Sequence, residues 1–333
     1  MAFKMSVQKY SGKISEVEIG KGEKAIKIGG ESTLPFYSFD GNTGNTQKVG
    51  VEMLDVYPEG WTNEFKEMYK DVCDCPVKWA KYIEENLKAD FICLKLESSD
   101  PNGLDRSPEE CAEVAKNVVE SVSLPVVIAG CGNHEKDAKV FEKVSQAVDG
   151  NNCLFLAATE DNYKAVGAAT TMAYSHKVVA ESSVDINLAK QLNVLLTQLG
   201  VKPENIVMQI GCSAVGYGYE YVASTMDRIR LAAFGQNDKT LQMPIVSPVS
   251  FETWHVKESI ASIEDEPQWG PAEQRGINME VSTATSALVG GANAVILRHP
   301  KSVETIKELV SALSWLNCKV RGKNNGIKSF RYI

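Results

Sequence analysis

No C-x-x-C pair occurs in the 333-residue sequence, and its eight cysteines are scattered apart from Cys73 and Cys75. That spacing excludes a zinc knuckle and the common iron–sulfur clusters. Histidine is equally scarce: the four, at positions 134, 176, 255 and 299, have no metal-ligand spacing and build no H-E-x-x-H helix. There is no P-loop, no G-x-S-x-G elbow and no G-x-G-x-x-G turn after the first strand-like run, which removes the usual signatures of nucleotide hydrolases, α/β-hydrolases and dinucleotide-binding domains. Positive charge is in deficit, with 35 Lys and Arg against 43 Asp and Glu, a net charge of -8. Nucleic acid and anionic membranes need clustered positive charge, so neither is an expected partner. No apolar run approaches the about 20 residues that cross a bilayer. The N-terminal MAFKMSVQKY has no apolar signal-peptide core, so a cytoplasmic chain with reduced thiols is expected.

From residue 48 onward, short β-branched runs alternate with stretches of helical period, the order of a parallel sheet with crossover helices. Eight such runs are present: 50–56, 90–97, 124–130, 153–159, 177–183, 206–211, 243–249 and 294–299. Between them, Ser107-Pro108-Glu109-Glu110 is a capping box with proline at the first helical position. Asp185 can cap a helix whose Leu188, Leu192, Leu195, Leu196 and Leu199 recur at helical spacing up to Gly200; a stripe of this kind is core packing. Eight units in this length predict an α/β fold, a TIM (β/α)8 barrel, which typically takes about 250 residues. Residues 1–47 read as an N-terminal β-hairpin extension set to plug or cover the barrel bottom, residues 48–313 as the barrel, and residues 314–333 as a basic C-terminal tail.

In such a barrel the working face lies at the C-terminal ends of the strands. Alternation along 90–97 sends Ile92, Leu94 and Leu96 to the helices and turns Cys93, Lys95 and Glu97 inward, where Lys95 and Glu97 are expected to pair with each other or with a neighbouring strand. Asn133 follows the glycine-bracketed Gly130-Cys131-Gly132, and Thr159, Glu160 and Asn162 end the fourth run. The sixth run opens into Gly211-Cys212-Ser213-Ala214-Val215-Gly216-Tyr217-Gly218-Tyr219-Glu220-Tyr221, three glycines and three tyrosines in eleven residues. Bare backbone and flat amphipathic rings suit a broad planar ligand or a partner surface better than a phosphate. The stretch 251–278, with Trp254, His255, Trp269, Pro271 and Arg275, reads as a long ordered loop.

Several segments together resemble a known family: GGESTLPF (29–36), LKLESSDPNG (94–103), AGCGNHEKD (129–137), DINLAKQLN (185–193), GYGYEY (216–221), MDRIRLAA (226–233), Trp269-Gly270 with Gln274-Arg275-Gly276, and LRHP (297–300). The chain resembles the small (delta) subunits of the corrinoid/iron-sulfur protein of acetyl-CoA decarbonylase/synthase over about residues 24–313. The resemblance implies a barrel related to pterin-dependent methyltransferases, paired as a heterodimer with a large subunit that carries the iron-sulfur cluster and a cobamide-binding domain. It implies a corrinoid held between that domain and the barrel top. It further implies a methyl group that comes from methyltetrahydrofolate through a separate methyltransferase and goes to acetyl-CoA synthase/CO dehydrogenase, in the reductive acetyl-CoA (Wood-Ljungdahl) pathway of carbon fixation in anaerobes.

The sequence also lacks the D-x-H-x-x-G pattern that supplies a cobalt ligand in many cobalamin domains. The chain is therefore expected to be non-catalytic alone, to hold no metal itself, and to contribute half of a corrinoid site. Gly211, Ser213, Gly216, Tyr217 and Gly218 are the residues expected nearest the corrinoid, with Asn133, Thr159, Glu160 and Asn162 lining the same mouth. The competing readings are a stand-alone pterin methyltransferase using Asp100, Asn133 and Glu181, an aldolase using Lys95 as a Schiff base, and a purely structural partner.

Overall fold

A computed structural model describes residues 6–323, with side chains through residue 314. Eight parallel strands form one sheet: β3 (Lys48–Leu54), β4 (Phe91–Lys95), β5 (Val126–Ala129), β6 (Leu154–Ala158), β7 (Lys177–Glu181), β8 (Ile206–Gln209), β9 (Val246–Ser247) and β10 (Ala294–Leu297). Every one falls within or overlaps a run read from the sequence. Their order, β8-β7-β6-β5-β4-β3-β10-β9, leaves β8 and β9 as the two edges. The seam is closed where the Met208 N–H donates to the Pro244 carbonyl at 2.7 Å and Met208 bridges Ile245 in parallel. The sheet is therefore a TIM (β/α)8 barrel.

Sequence alternation decides which side each strand residue faces. Val49, Val51, Met53, Ile92, Leu94 and Leu96 pack outward in the core shared with the helices. Phe91, Cys93, Val127, Leu154, Val179, Val207 and Ile296 fill the barrel interior. Gly50 belongs to the inward set, and a Cβ there would lie 2.1 Å from the Phe91 ring, so glycine makes room for the phenyl group.

The N-terminal extension carries an antiparallel hairpin, β1 (Glu16–Ile19) and β2 (Ile26–Gly29), with Glu16 opposite Gly29 and Ile19 opposite Ile26. Its apolar face, Val17, Ile19, Ile26 and Ile28, is buried in the same cluster as the barrel interior. The Asn152 amide donates to the carbonyls of Glu18 and Gly20 at 2.9 and 3.0 Å. Since Asn152 precedes β6, the hairpin seals the N-terminal end of the barrel, opposite the working face. At about 1.5–3 kcal/mol per buried aliphatic side chain, the four residues make the plug a substantial part of the fold's stability.

The helices are α1 (Asn63–Met68), α2 (Pro76–Asn86), α3 (Pro108–Ser121), α4 (His134–Ala147), α5 (Tyr163–Val166), α6 (Ile186–Leu199), α7 (Tyr219–Gly235), α8 (Val249–Thr253), α9 (Lys257–Ile260), α10 (Ala272–Gly290) and α11 (Pro300–Lys323). At α3 the capping box is complete: Ser107 Oγ accepts from the Glu110 N–H at 3.2 Å, and the Glu110 carboxylate accepts from the Ser107 N–H at 2.8 Å. Asp185 caps α6 by accepting from Asn187 and Leu188, and Gly200 ends it at φ +111°.

The expected 251–278 loop is corrected. It holds α8, α9 and the first turns of α10, leaving residues 254–256 and 261–271 between these helices. Gly276 lies inside α10, where a Cβ would meet the Trp254 ring at 2.0 Å. The glycine serves close packing of a helix on an indole. The basic side chains of the C-terminal tail lie outside the described residues.

Candidate functional site at the C-terminal mouth of the barrel

Three charged side chains stand on the barrel axis at this end. Glu52 of β3, fully buried, takes two hydrogen bonds from the Arg298 guanidinium, both at 3.1 Å. Arg298 in turn lies over the Trp61 ring, 4.1 Å from its centroid. Burial works against the Glu52 charge, but Arg298 and Lys95 outweigh it and hold the carboxyl below the usual carboxylate range. Lys95 pairs with Glu97 at 2.7 Å, as alternation predicted. Burial opposes the Lys95 charge as well, but Glu52 and Glu97 prevail and raise its pKa. Glu52 and Arg298 were missed at first, although a readable signal exists: both are in phase with the inward residues of their runs, Gly50 in one and Ile296 in the other.

Around this axis the structure places the nine residues expected at the mouth in two groups. On the β5 and β6 side, Asn133 is the N-cap of α4, accepting from the Lys136 N–H at 3.0 Å. Asn162 accepts from the Thr159 N–H at 2.8 Å and donates to the His134 carbonyl at 3.2 Å, which ties the two loops together. Glu160 is exposed beside them. Asn133, Thr159 and Asn162 thus have structural work within the loops.

On the β8 side, Gly211, Gly216 and Gly218 all have positive φ, at +86°, +93° and +90°. Around the missing Cβ of Gly216 nothing lies within 4 Å. Ser213 is half-buried, while Tyr217 and Tyr221 are 48% and 66% exposed. The Tyr217 hydroxyl donates to the Glu258 carboxylate, a bond that joins the β8 loop to α9. Arg275 holds the following segment in place by donating to the carbonyls of Glu258, Ala261 and Gly270, with its guanidinium under the Trp269 ring at 5.6 Å.

Four further titratable groups at this end, Glu181, Glu252, Cys131 and Cys212, are shifted mainly by burial. Glu181 and Glu252 are both raised by burial, Glu181 also by the charge of Glu252. Burial, with the Glu252 charge, pushes the Cys212 thiol up to about 12, and burial also raises Cys131. Neither cysteine on this face is a thiolate at neutral pH.

Beside the axis, between the segments that follow β3 and β4, lies a cleft of about 800 Å³. Its walls include Asp55, Trp61, Lys95, Ser98, Arg106 and His255. None of the nine expected residues lines it. Asp55 accepts from both the N–H and the hydroxyl of Ser98, and burial raises its pKa.

A family profile described as CdhD, CO dehydrogenase/acetyl-CoA synthase delta subunit, matches residues 16–316. The chain is 33% identical over 319 residues to acetyl-CoA decarbonylase/synthase complex subunit delta 1 of Methanosarcina thermophila, covering 92% of this chain and 72% of that protein. It is 33% identical over 320 residues to subunit delta of Methanocaldococcus jannaschii, covering 92% and 76%. Among solved structures, dihydropteroate synthase from Xanthomonas albilineans in complex with 7,8-dihydropteroate aligns with a TM-score of 0.54 at 12% identity, over 89% of this chain and 98% of that one. That likeness is one of fold.

Proposed function

The chain belongs to the CO dehydrogenase/acetyl-CoA synthase delta subunit family, and from that premise we propose that it is the small subunit of a heterodimeric corrinoid/iron-sulfur methyl carrier. In this reading its partners are the large subunit, a methyltetrahydrofolate methyltransferase and acetyl-CoA synthase, and its barrel top caps a corrinoid held by the large subunit. The iron-sulfur cluster belongs to that partner.

The observation that carries the reading is the rim after β8. Open backbone at Gly216 and the exposed faces of Tyr217 and Tyr221 offer a broad, flat surface rather than a pocket for a small substrate. A planar macrocycle fits such a rim. When bound, the corrinoid supplies a cobalt centre for methyl uptake and release. The chain's own share is to present Gly211, Ser213, Gly216, Tyr217 and Gly218, to fix the Tyr217 ring through Glu258, and to exclude water from that face.

The enzymatic alternatives are less well supported by the same residues. A Schiff-base lysine needs a lowered pKa to be neutral and nucleophilic, whereas Lys95 is ion-paired and raised. Of the three groups a pterin methyltransferase would use, Asn133 caps α4, and Asp100 accepts from the Asn102 N–H at 2.8 Å. Only Glu181 is left without such a task.

Gly216→Trp tests the reading. At φ +93° any side chain adds about 1 kcal/mol of backbone strain, which the barrel should tolerate, with a native circular dichroism spectrum. Corrinoid retention by the co-purified heterodimer should fall. Native circular dichroism with unchanged retention would remove the β8 rim from the site.

A further inference from the structure

We propose that the cleft between the segments following β3 and β4 is a second ligand site, for a small molecule that carries one oxyanion group, a carboxylate or a phosphate, on a flat apolar body. The inference stands apart from the corrinoid reading, because none of the rim residues lines this cleft. At about 800 Å³ it falls in the size class of small-molecule pockets.

The charge of the ligand follows from which groups already have partners. Every carboxylate on the cleft wall is engaged within the protein. Asp55 is held by Ser98, Glu97 by Lys95 at 2.7 Å, Asp100 by Asn102, Asp74 by Lys78 at 3.9 Å and Glu59 by Lys66 at 4.0 Å. The donors are not so engaged. Arg106 is half-buried and fixed by its main chain, whose N–H donates to the Ser98 carbonyl at 2.9 Å, yet among the described residues its guanidinium makes no hydrogen bond or ion pair. The His255 ring is likewise without a hydrogen bond among the described residues, and burial together with Arg298 and Lys95 lowers its pKa, leaving it a neutral donor at pH 7. Arg298 lines the same wall, is 3% exposed, and spends only two of its nitrogens on Glu52. Unused capacity in the cleft is thus cationic and donating, and a guanidinium fork matches an oxyanion.

The body of the ligand follows from the mouth. Tyr57, 44% exposed on the segment after β3, and Leu104, 63% exposed on the segment after β4, both line the cleft. Two exposed apolar side chains lining one cavity suit a flat apolar group better than a sugar or a free inorganic ion.

The test titrates the 333-residue chain with benzoate, phenyl phosphate and the neutral benzamide by calorimetry. One anion should bind, with benzamide about tenfold weaker or more, as expected for loss of a charge-assisted hydrogen bond. The tighter anion identifies the head group as carboxylate or phosphate. Arg106→Gln should bring that anion down to the benzamide level. Its guanidinium makes no hydrogen bond or ion pair among the described residues and acts on Asp55 and Glu110 only through its charge, so the fold should be native by circular dichroism. Leu104→Asp, at an exposed lip, should weaken the anion through repulsion without touching the core. Equal affinity for the anions and benzamide, or full anion affinity in both variants, would overturn the proposal.

Discussion

His176 shows how a residue that looks like a candidate for chemistry is spent on structure. Its ring is wholly buried; Nδ1 accepts from the Cys153 N–H at 3.1 Å, so Nε2 carries the proton and donates to the Ser145 carbonyl at 3.0 Å. Burial lowers its pKa. A folded-state pKa below the unfolded value means that the unfolded chain binds the extra proton, so this residue's contribution is complete above pH of about 6.5 and is lost as pH falls further. His176→Gln is therefore expected to lower the melting temperature at pH 7 and to flatten its decline between pH 7 and pH 5. Parallel melting curves for the two proteins across that range would contradict the assignment. Both partners of His176 are main-chain groups, which leave no trace in a sequence; spacing alone excluded a metal role and went no further. Lys95 and Glu97 were legible because strand alternation alone fixes their side. Arg275 was noticed only as part of a loop, since its partners are three carbonyls.

At the scale of elements, all eight strands were readable from β-branched runs, and the capped helices α3 and α6 from their end signals. The run 243–249 yields only the two-residue β9 because Pro244 and Pro248 flank it and lack an N–H for the ladder. The region 251–278 was misread for a different reason. Glycine and proline there are punctuation to a sequence reader, but Gly276 answers to the Trp254 ring. This gives a prediction of unusual sign. Glycine to alanine inside a helix normally stabilises by about 1 kcal/mol, whereas Gly276→Ala should destabilise by about 1–3 kcal/mol through overpacking against the indole. Urea unfolding of the purified chain measures this; a variant as stable as or more stable than the parent would show that α10 does not pack on Trp254 this closely.

At the scale of the whole molecule, the barrel is closed at the bottom by the β1–β2 plug and has its open, polar end at the strand C-termini. Ion pairs occupy the axis of that end, the β8 rim lies on one side and the cleft on the other. The fold and the face of interest were legible, because periodicity and run spacing determine them. The division of that face into a rim and a separate cleft was not, since it depends on how the β3 and β4 connections pack. No helix among the described residues is long and apolar enough to cross a membrane. The seven cysteines whose side chains are described are free thiols, with Cys93, Cys111 and Cys153 buried as small hydrophobes.

The central claim, that this barrel is half of a corrinoid site, is tested most directly by the visible absorption spectrum of the chain purified alone and of the chain co-purified with the large subunit. The account predicts a colourless chain alone and a one-to-one complex with corrinoid absorption. A lone chain that retains corrinoid through purification, or a stable complex whose corrinoid content is unchanged when this subunit is removed, would contradict it.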